Sequence, residues 1–482
     1  MKRIFVKNFA TTTNTIRLCC LIALGLVSGC AHYVPHPLVP QKSLAAFQDR
    51  SLSAPGLRAF FAKNHVSMPL VGDAWDMKAL TLAAFYYEPS LAEARARLLF
   101  AQAAESTAAE RPNPSVAFTP GYDNGVPNAP VPWILPVTAD WTIETAGKRG
   151  DRIAAARHLS AASRWELVGK VWAVRSRLRT ALLDLYAARQ AEELLGREEA
   201  VQQRVVKLTE GQVDAGMQPG YLLTEAYAAL DTTTLSRQKA IGAAEQAQIR
   251  LAGVIGIPPH ALEKIKLSFA AFKHLPKTNA SSRMRRQALL GRADLRAALE
   301  RYAASQSELK LQIARQWPDL HLGPGYAWNS QFSRDSAWQL GLSLPIPVLN
   351  LNQGPIAEAK AKRRLAAAHF LTVQADALEQ VNSALVQYRS ALAVLKTTDG
   401  LLANLRQKLD SVRAQVKAGE LQPLNLVDAK VAVAAGVRNR LQARIKAQQA
   451  LGQLEDAVQS PLTLPPATLR AAEDGTTNQE KP

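Results

Sequence analysis

The chain has 482 residues, of which 48% are hydrophobic and 20% charged, and its formal net charge is +18. This apolar content excludes a disordered chain, and 26 glycines and 27 prolines exclude a collagen-like one. Stretches dominated by Ala, Leu, Gln, Arg and Lys favour long helices over an all-β body. The basic excess is typical of nucleic-acid binding, but the N-terminal residues exclude that class.

Residues 1–29 have the order of a secretory signal, a basic region followed by a short apolar core. The segment Val27–Cys30 reads Val-Ser-Gly-Cys, which resembles a bacterial lipobox, so Cys30 is the expected lipidation site. A plain signal peptide with a chance cysteine is the alternative. Ala31 stands where lipoproteins retained at the inner membrane carry Asp, and the resemblance therefore implies the outer membrane. No nucleic-acid partner is expected there.

Cysteine and histidine spacing argues against catalysis and against a bound metal. Cys19 and Cys20 lie in the signal, so the mature chain keeps one cysteine, the lipidated one. The eight histidines show no HxxxH or HExxH spacing, and no complete phosphate loop or Gly-x-Ser-x-Gly motif is present. The sequence therefore predicts a non-enzyme without cofactor or metal.

The chain contains an internal repeat with an offset of about 203 residues. Pro114–Tyr122 recurs as Pro318–Tyr326, and Ala215–Gly216 recurs as Ala418–Gly419. The constant order of the matches indicates a tandem duplication. Each copy predicts a helix, two strands, a long helix, a tight turn and a returning helix. The predicted segments are the signal peptide 1–29, a lipid-anchored irregular tether 30–74, the first repeat 75–253, an inter-repeat linker 254–283, the second repeat 284–460 and a disordered tail 461–482.

The predicted strands alternate apolar and polar residues with period two. In the first copy Trp133, Val137 and Trp141 share one face, and in the second copy Trp338 and Leu342 do so. Such alternation over about ten residues is typical of a transmembrane barrel strand. A soluble antiparallel sheet packed on helices is the alternative. The residues predicted to face the lumen are Thr138, Asp140, Thr142, Glu144, Gln339 and Ser343.

Four strands cannot close a barrel, and an open sheet edge is not stable in lipid. Several copies must therefore share one barrel if the strands cross a membrane. Two copies would supply eight strands and three would supply twelve.

Apolar residues in the predicted helices form heptad seams, for example Val381, Leu385 and Tyr388. From residue 356 to Ala418 the chain predicts roughly 60 helical residues, on the order of 90 Å. Asp399–Gly400 interrupts this seam and is a candidate for a bend or break, because glycine inside a helix costs about 1 kcal/mol.

From about residue 75 to residue 460 the chain resembles the TolC-type outer-membrane efflux channel family. The most specific segments are the duplicated strand entry, Glu144–Arg152, Leu349–Ala359 and the turn Ala418–Pro423. The segment Ala146–Arg149 is most similar to the branch that serves heavy-metal cation efflux pumps. The resemblance implies a mainly α fold with a β-barrel part, a homotrimer whose twelve-strand barrel continues into a long α-helical barrel, and an equatorial linker.

The resemblance also implies a passive exit channel with two partners, a periplasmic adaptor (membrane fusion) protein and an inner-membrane pump of the resistance-nodulation-division type. It places the adaptor contact at the two tight turns and a closing aperture just beyond them. A solvated helix face is the alternative for the aperture residues. Asn425 replaces an acidic residue of the family. The turn residues are Gly216, Met217, Gln218, Gly419, Glu420 and Leu421, and the aperture residues are Glu225, Asn425 and Asp428.

Two questions remain open at the level of sequence. A lipid-anchored periplasmic coiled-coil scaffold without a pore is the alternative function. The transported substrate is either a metal cation or a small toxic organic molecule. Removal of the four basic residues of the signal leaves +14, a balance that favours anionic organics over metal cations.

Overall fold

The computed structural model describes residues 31–70, 72–122, 133–276, 281–329 and 336–460. Cys30 and the tail 461–482 lie outside these residues. The chain divides into two compact units, residues 1–49 and 50–482. The described part of the first unit contains one helix, α1 (Pro40–Gln48), with no buried residue.

The second unit is mainly helical and repeats one order of elements. The elements are α2 (Pro55–Lys63), α3 (Met77–Tyr87), α4 (Pro89–Ala109), β1 (Ser115–Phe118), β2 (Gly121–Tyr122), β3 (Trp133–Ile143), α5 (Lys148–Asp214), α6 (Tyr221–Ile255), α7 (His260–Glu263), α8 (Ser281–Gly291), α9 (Ala293–Ala314), β4 (Leu320–Asn329), β5 (Ser336–Ser343), α10 (Gln353–Lys417) and α11 (Pro423–Val458). Helix, strands, long helix and returning helix occur first as α4, β1 to β3, α5 and α6, and again as α9, β4, β5, α10 and α11.

The prediction of irregular structure in the tether is wrong at Pro40–Gln48 and at Pro55–Lys63, which are helices, and the second of these is packed into the core. Pro55 starts helix α2, where proline is favoured because the first helical N–H needs no partner. Leu57 and Phe61 lie one turn apart on that helix and are fully buried in the main core, together with Leu52. Burial of these apolar side chains holds the segment against the helices.

Residues 254–276 of the predicted linker are a packed part of the core. Ile257, Leu262 and Phe272 are buried there. Gly256, at φ 86°, ends α6 close to the carbonyl of Tyr87, where an added Cβ would lie 2.9 Å from the oxygen. Only glycine fits this turn, because the positive φ and the close backbone approach both exclude a side chain.

Helix α10 continues through Asp399–Gly400, so the predicted break is wrong. Val381, Leu385 and Tyr388 are buried before this point and Leu402 is buried after it. No neighbouring group lies within 4 Å of a Cβ built at Gly400, so the glycine disturbs no packing. Packing contacts along the seam before and after Gly400 stabilise the helix by more than the cost of about 1 kcal/mol for a glycine inside a helix.

The strands form one antiparallel sheet in the order β1-β3-β4-β5, with β2 also paired to β3. The sheet joins the helices where β3 leads into α5 and where α9 leads into β4. Within the described part of the chain, no helix carries an apolar stretch long enough to cross a bilayer.

Candidate functional site

Strand register assigns the side chains of the sheet to two faces. Val137 lies opposite Phe118 and Tyr326, and Tyr326 lies opposite Trp338. Directly opposed residues project to the same side, and alternate residues of each strand follow them. This apolar face therefore runs across all the strands. Its other members are Val116, Tyr122, Trp133, Leu135, Ala139, Trp141, Ile143, Leu320, Leu322, Pro324, Trp328, Leu340 and Leu342.

The apolar face is open to its surroundings in the single chain. Trp338 is 83% exposed, Val116 72% and Leu340 71%. A sheet packed on a helix layer would cover these side chains, and none of the helices in the described segments does so. A continuous apolar patch of this kind on a protein surface marks a contact with lipid or with protein.

The opposite face of the sheet is small and mostly polar. Five of the six residues predicted to face the lumen lie on it, namely Thr138, Asp140, Thr142, Gln339 and Ser343. The Gln339 side chain extends across Gly325 of the neighbouring strand, where an added Cβ would lie 2.8 Å from its Cγ. This face, called the polar face below, also carries Ser115, Ala117, Gly121, Ile134, Pro136, His321, Gly323, Ala327, Ala337 and Gly341.

Asp140 and His321 form a pair on the polar face. The Asp140 Oδ2 and His321 Nδ1 atoms are 3.0 Å apart, and the Thr142 hydroxyl lies 3.4 Å from the same nitrogen. No sequence pattern predicts this contact, because 181 positions separate the two residues and only the register of β3 with β4 brings them together.

Glu144 differs from the other five predicted lumen residues in its surroundings. It follows the last residue of β3, and its carboxylate accepts a hydrogen bond of 2.6 Å from Arg152. Its side chain is only 13% exposed. Arg152 also donates to the carbonyl of Ala108, one of the last of helix α4, so Glu144 helps to fasten the sheet to two helices.

A buried lysine completes this joint between sheet and helices. Lys148 Nζ lies 2.7 Å from Asp319 Oδ1, which also accepts the Thr145 N–H. Burial acts most strongly on the Asp319 carboxyl and would raise its pKa, but the two hydrogen bonds and the Lys148 charge outweigh it, and the pKa is lowered. Ala146 and Gly147 both have positive φ, which turns the chain sharply from strand to helix.

The two predicted tight turns have the same geometry. Gly216 has φ 68° and Gly419 has φ 81°. In the first turn Met217 N–H donates to the carbonyl of Gln212, and in the second Glu420 N–H donates to that of Gln415. These bonds define a Schellman motif, which requires a left-handed residue after the helix.

The two turns also contact each other and expose their side chains. Gln212 Nε2 donates to Gln422 Oε1 at 2.9 Å, which joins the end of α5 to the start of α11. Met217 is 67% exposed. The six turn residues therefore lie together as a small, solvent-accessible surface at one end of the helices.

The three predicted aperture residues differ in their surroundings. Glu225 and Asp428 are exposed, each nine residues after the glycine of its turn. Asp428 is accessible in the single chain, but partial desolvation by nearby protein atoms raises the pKa of its carboxyl. Asn425 instead forms a capping box with Gln422 at the start of α11, so this side chain has a local structural role.

Among the described residues, no group of three or more His, Cys, Asp and Glu side chains could hold a metal ion.

Residues 284–458 match the family model "Outer membrane efflux protein". No curated protein sequence matches the chain. Among solved structures, the outer-membrane channel OprN has 20% identity and a TM-score of 0.65, with 90% of this chain and 99% of that chain covered. The outer membrane protein VceC of Vibrio cholerae has 19% identity and a TM-score of 0.66, with 80% and 96% covered. The MtrE outer membrane channel of Neisseria gonorrhoeae has 17% identity and a TM-score of 0.65, with 80% and 89% covered.

Proposed function

We propose that this chain is a member of the TolC-type outer-membrane efflux channel family and serves as the outer-membrane exit channel of a tripartite efflux system. The two-faced sheet carries the proposal. A face of Trp, Leu, Val and Tyr opposite a face of Gly, Ser, Thr and Gln suits a boundary between lipid and water. A coiled-coil scaffold without a pore does not require a sheet with one apolar and one polar face.

The edges of the sheet support an oligomer. In the described residues, β1 and β5 are the outer strands, and neither has a further neighbour. Unpaired N–H and C=O groups are not stable in lipid, so each edge needs a strand from another copy. We infer a homotrimer with a twelve-strand barrel, in which the two similar halves of each chain are tandem copies.

Transport through this channel is passive, and the energy comes from the inner-membrane pump. The surface formed by the two turns is accessible and rigidly built, which suits contact with a periplasmic adaptor. Glu225 and Asp428 lie near enough to the turns to line a closing aperture, and Asn425 contributes no charge there. Lipidation at Cys30 would add an anchor in the outer membrane.

The proposed substrates are metal cations or small toxic organic molecules. A deletion strain challenged with divalent metals, cationic dyes and aromatic acids, and complemented with the wild-type gene, separates these classes. Sensitivity to metals alone assigns the cation branch, and sensitivity to organics assigns the channel to a different pump.

A matched pair of substitutions tests the channel itself. Leu340→Arg places a charge on the apolar face, which costs about 2–4 kcal/mol at the middle of a bilayer, and should prevent assembly in the outer membrane. Gln339→Arg, on the next residue but on the polar face, should be tolerated. If both variants assemble alike and the purified protein forms no conductance in planar bilayers, the pore-free scaffold is the correct function.

A further inference from the structure

The polar face of the sheet is almost free of charge. Among the described residues that the strand register assigns to it, Asp140 and His321 are the only ionisable ones. Their side chains are 47% and 32% exposed, so both reach solvent on this face. The remaining members are glycines, alanines, hydroxyl side chains, two amides and two apolar residues.

The groups around the imidazole do not compensate its charge or that of its partner. On β3 the nearest groups are Asp140 and the neutral Thr142, and on β5 the residue opposite His321 is the neutral Ser343. Asp319, two positions before His321, is paired with Lys148.

Glu144 pairs with Arg152 at the same joint, and the guanidinium groups of Arg149 and Arg315 lie there as well. A guanidinium group keeps its charge over this pH range, so the pH-dependent part of the charge at this end of the polar face follows the Asp140–His321 pair.

We infer that the Asp140–His321 pair determines the charge selectivity of the membrane-spanning part of the channel, and that this selectivity changes with pH. The inference rests on the proposed function, because it takes the polar face as the lumen wall. Imidazole is the side chain whose charge changes between about pH 5 and pH 8. A protonated His321 makes the pair neutral, and a neutral His321 leaves one negative charge in every copy. Cation selectivity should therefore rise with pH.

The expected size of the effect is modest. Two unit charges about 8 Å apart in water interact with half the energy of a pair at about 4 Å, which changes the local concentration of a monovalent ion roughly twofold. Several copies around one lumen add to this value. Salt at about 0.1 M or less is needed, because the Debye length is then about 10 Å or more.

The test measures the reversal potential of the purified full-length protein in planar bilayers under a KCl gradient at about pH 5 and about pH 8. In the wild type, the permeability ratio of potassium to chloride should rise about twofold over this range. His321→Gln should give the higher ratio at both pH values. Asp140→Asn should keep the rise but start from a lower ratio.

His158 offers a matched control. Its Nδ1 lies 2.7 Å from Glu300 Oε2 in a similar His–carboxylate pair, but on helices α5 and α9 away from the sheet. His158→Gln should behave as the wild type does. A wild-type ratio independent of pH, or a pH dependence that survives in His321→Gln, overturns the inference and leaves the channel intact. A protein that opens no conductance refutes the proposed function as well.

Discussion

Substitution of the buried Glu455 tests how much an ion pair between helices contributes to the stability of the fold. It lies on α11 with a side chain that is 0% exposed, and it faces Arg175 of α5, which is 2% exposed. The Arg175 guanidinium donates to Glu455 Oε2 at 2.9 Å, and Arg179 Nε lies 3.7 Å from the same oxygen. Glu455→Gln keeps the shape of this side chain and removes its charge.

Glu455→Gln lowers the free energy of unfolding because the Arg175 and Arg179 guanidinium groups remain buried. Loss of one partner of a buried ion pair costs about 3–5 kcal/mol, because the other charge stays buried without compensation. Asp456 remains close by, and the Arg175 guanidinium lies 4.8 Å from the centre of the Trp172 ring, a favourable contact. We therefore expect the lower end of the range, about 3 kcal/mol.

Thermal unfolding in detergent measures this loss. A unit of roughly 400 residues has an unfolding entropy of about 0.9 kcal/mol per degree, so Glu455→Gln should lower Tm by about 3–4 °C. Glu193→Gln is the matched control. Its carboxylate pairs with Arg197 on the exposed surface of α5, and a surface pair of this type should shift Tm by less than about 1 °C.

Equal shifts in Glu455→Gln and Glu193→Gln would refute the reasoning from burial. The double variant Arg175→Met with Glu455→Leu removes the closer guanidinium together with the carboxylate and should recover part of the lost stability, because Arg179 alone then stays buried without Glu455. If the double variant is as unstable as Glu455→Gln, packing rather than uncompensated charge accounts for the loss.

Three further outcomes are expected. Replacing both Gly216 and Gly419 with Ala should abolish export in a complementation assay but leave trimer yield unchanged, since each positive φ costs only about 1–2 kcal/mol; normal export would contradict adaptor contact at the turns. Asp428→Ala should raise the conductance of the closed channel, and acidification should move the wild type towards the variant because the pKa of Asp428 is raised; unchanged conductance would exclude a role in closure. Because the pKa of Asp319 is lowered in the folded protein, its ionised carboxylate stabilises the fold at pH values above the ordinary Asp range, and this stability is lost as pH falls through the pKa of the folded state. Lys148→Met should therefore lower Tm at neutral pH and make Tm fall less steeply in acid. A parallel fall of Tm in both proteins would refute the pairing.

Sequence patterns predicted the features that depend on local periodicity. Alternation in β3 and β5 placed Trp141 and Trp338 on one face, and the Ala-Gly steps located the turns at Gly216 and Gly419. The period of a strand is two whatever its neighbours are, and a left-handed turn needs glycine in any fold. The heptad seam likewise placed Tyr388 in the core.

Features that depend on long-range packing could not be predicted in this way. Arg175 and Glu455 are the residue types of a solvated helix face, and only the contact of α5 with α11 shows them to be buried. Glu144 continues the polar alternation of β3, but the strand ends before it and Arg152 binds it. The segment after Arg50 looked irregular because helix α2 has only nine residues, and its Leu57 and Phe61 are buried by tertiary contacts such as that of Phe61 with Trp75.

The lengths of the helices are coupled to one another. The long helices α5 and α10 have 67 and 65 residues, and the returning helices α6 and α11 have 35 and 36. Each returning helix thus covers about half of its long partner, and α4 and α9, with 21 and 22 residues, pack along the rest.

One inserted residue in α5 would rotate every later side chain by about 100° away from its neighbours. Insertions and deletions during evolution should therefore be accepted in steps of about seven residues and in all the facing helices together. The lengths of these helices should then change only as a set.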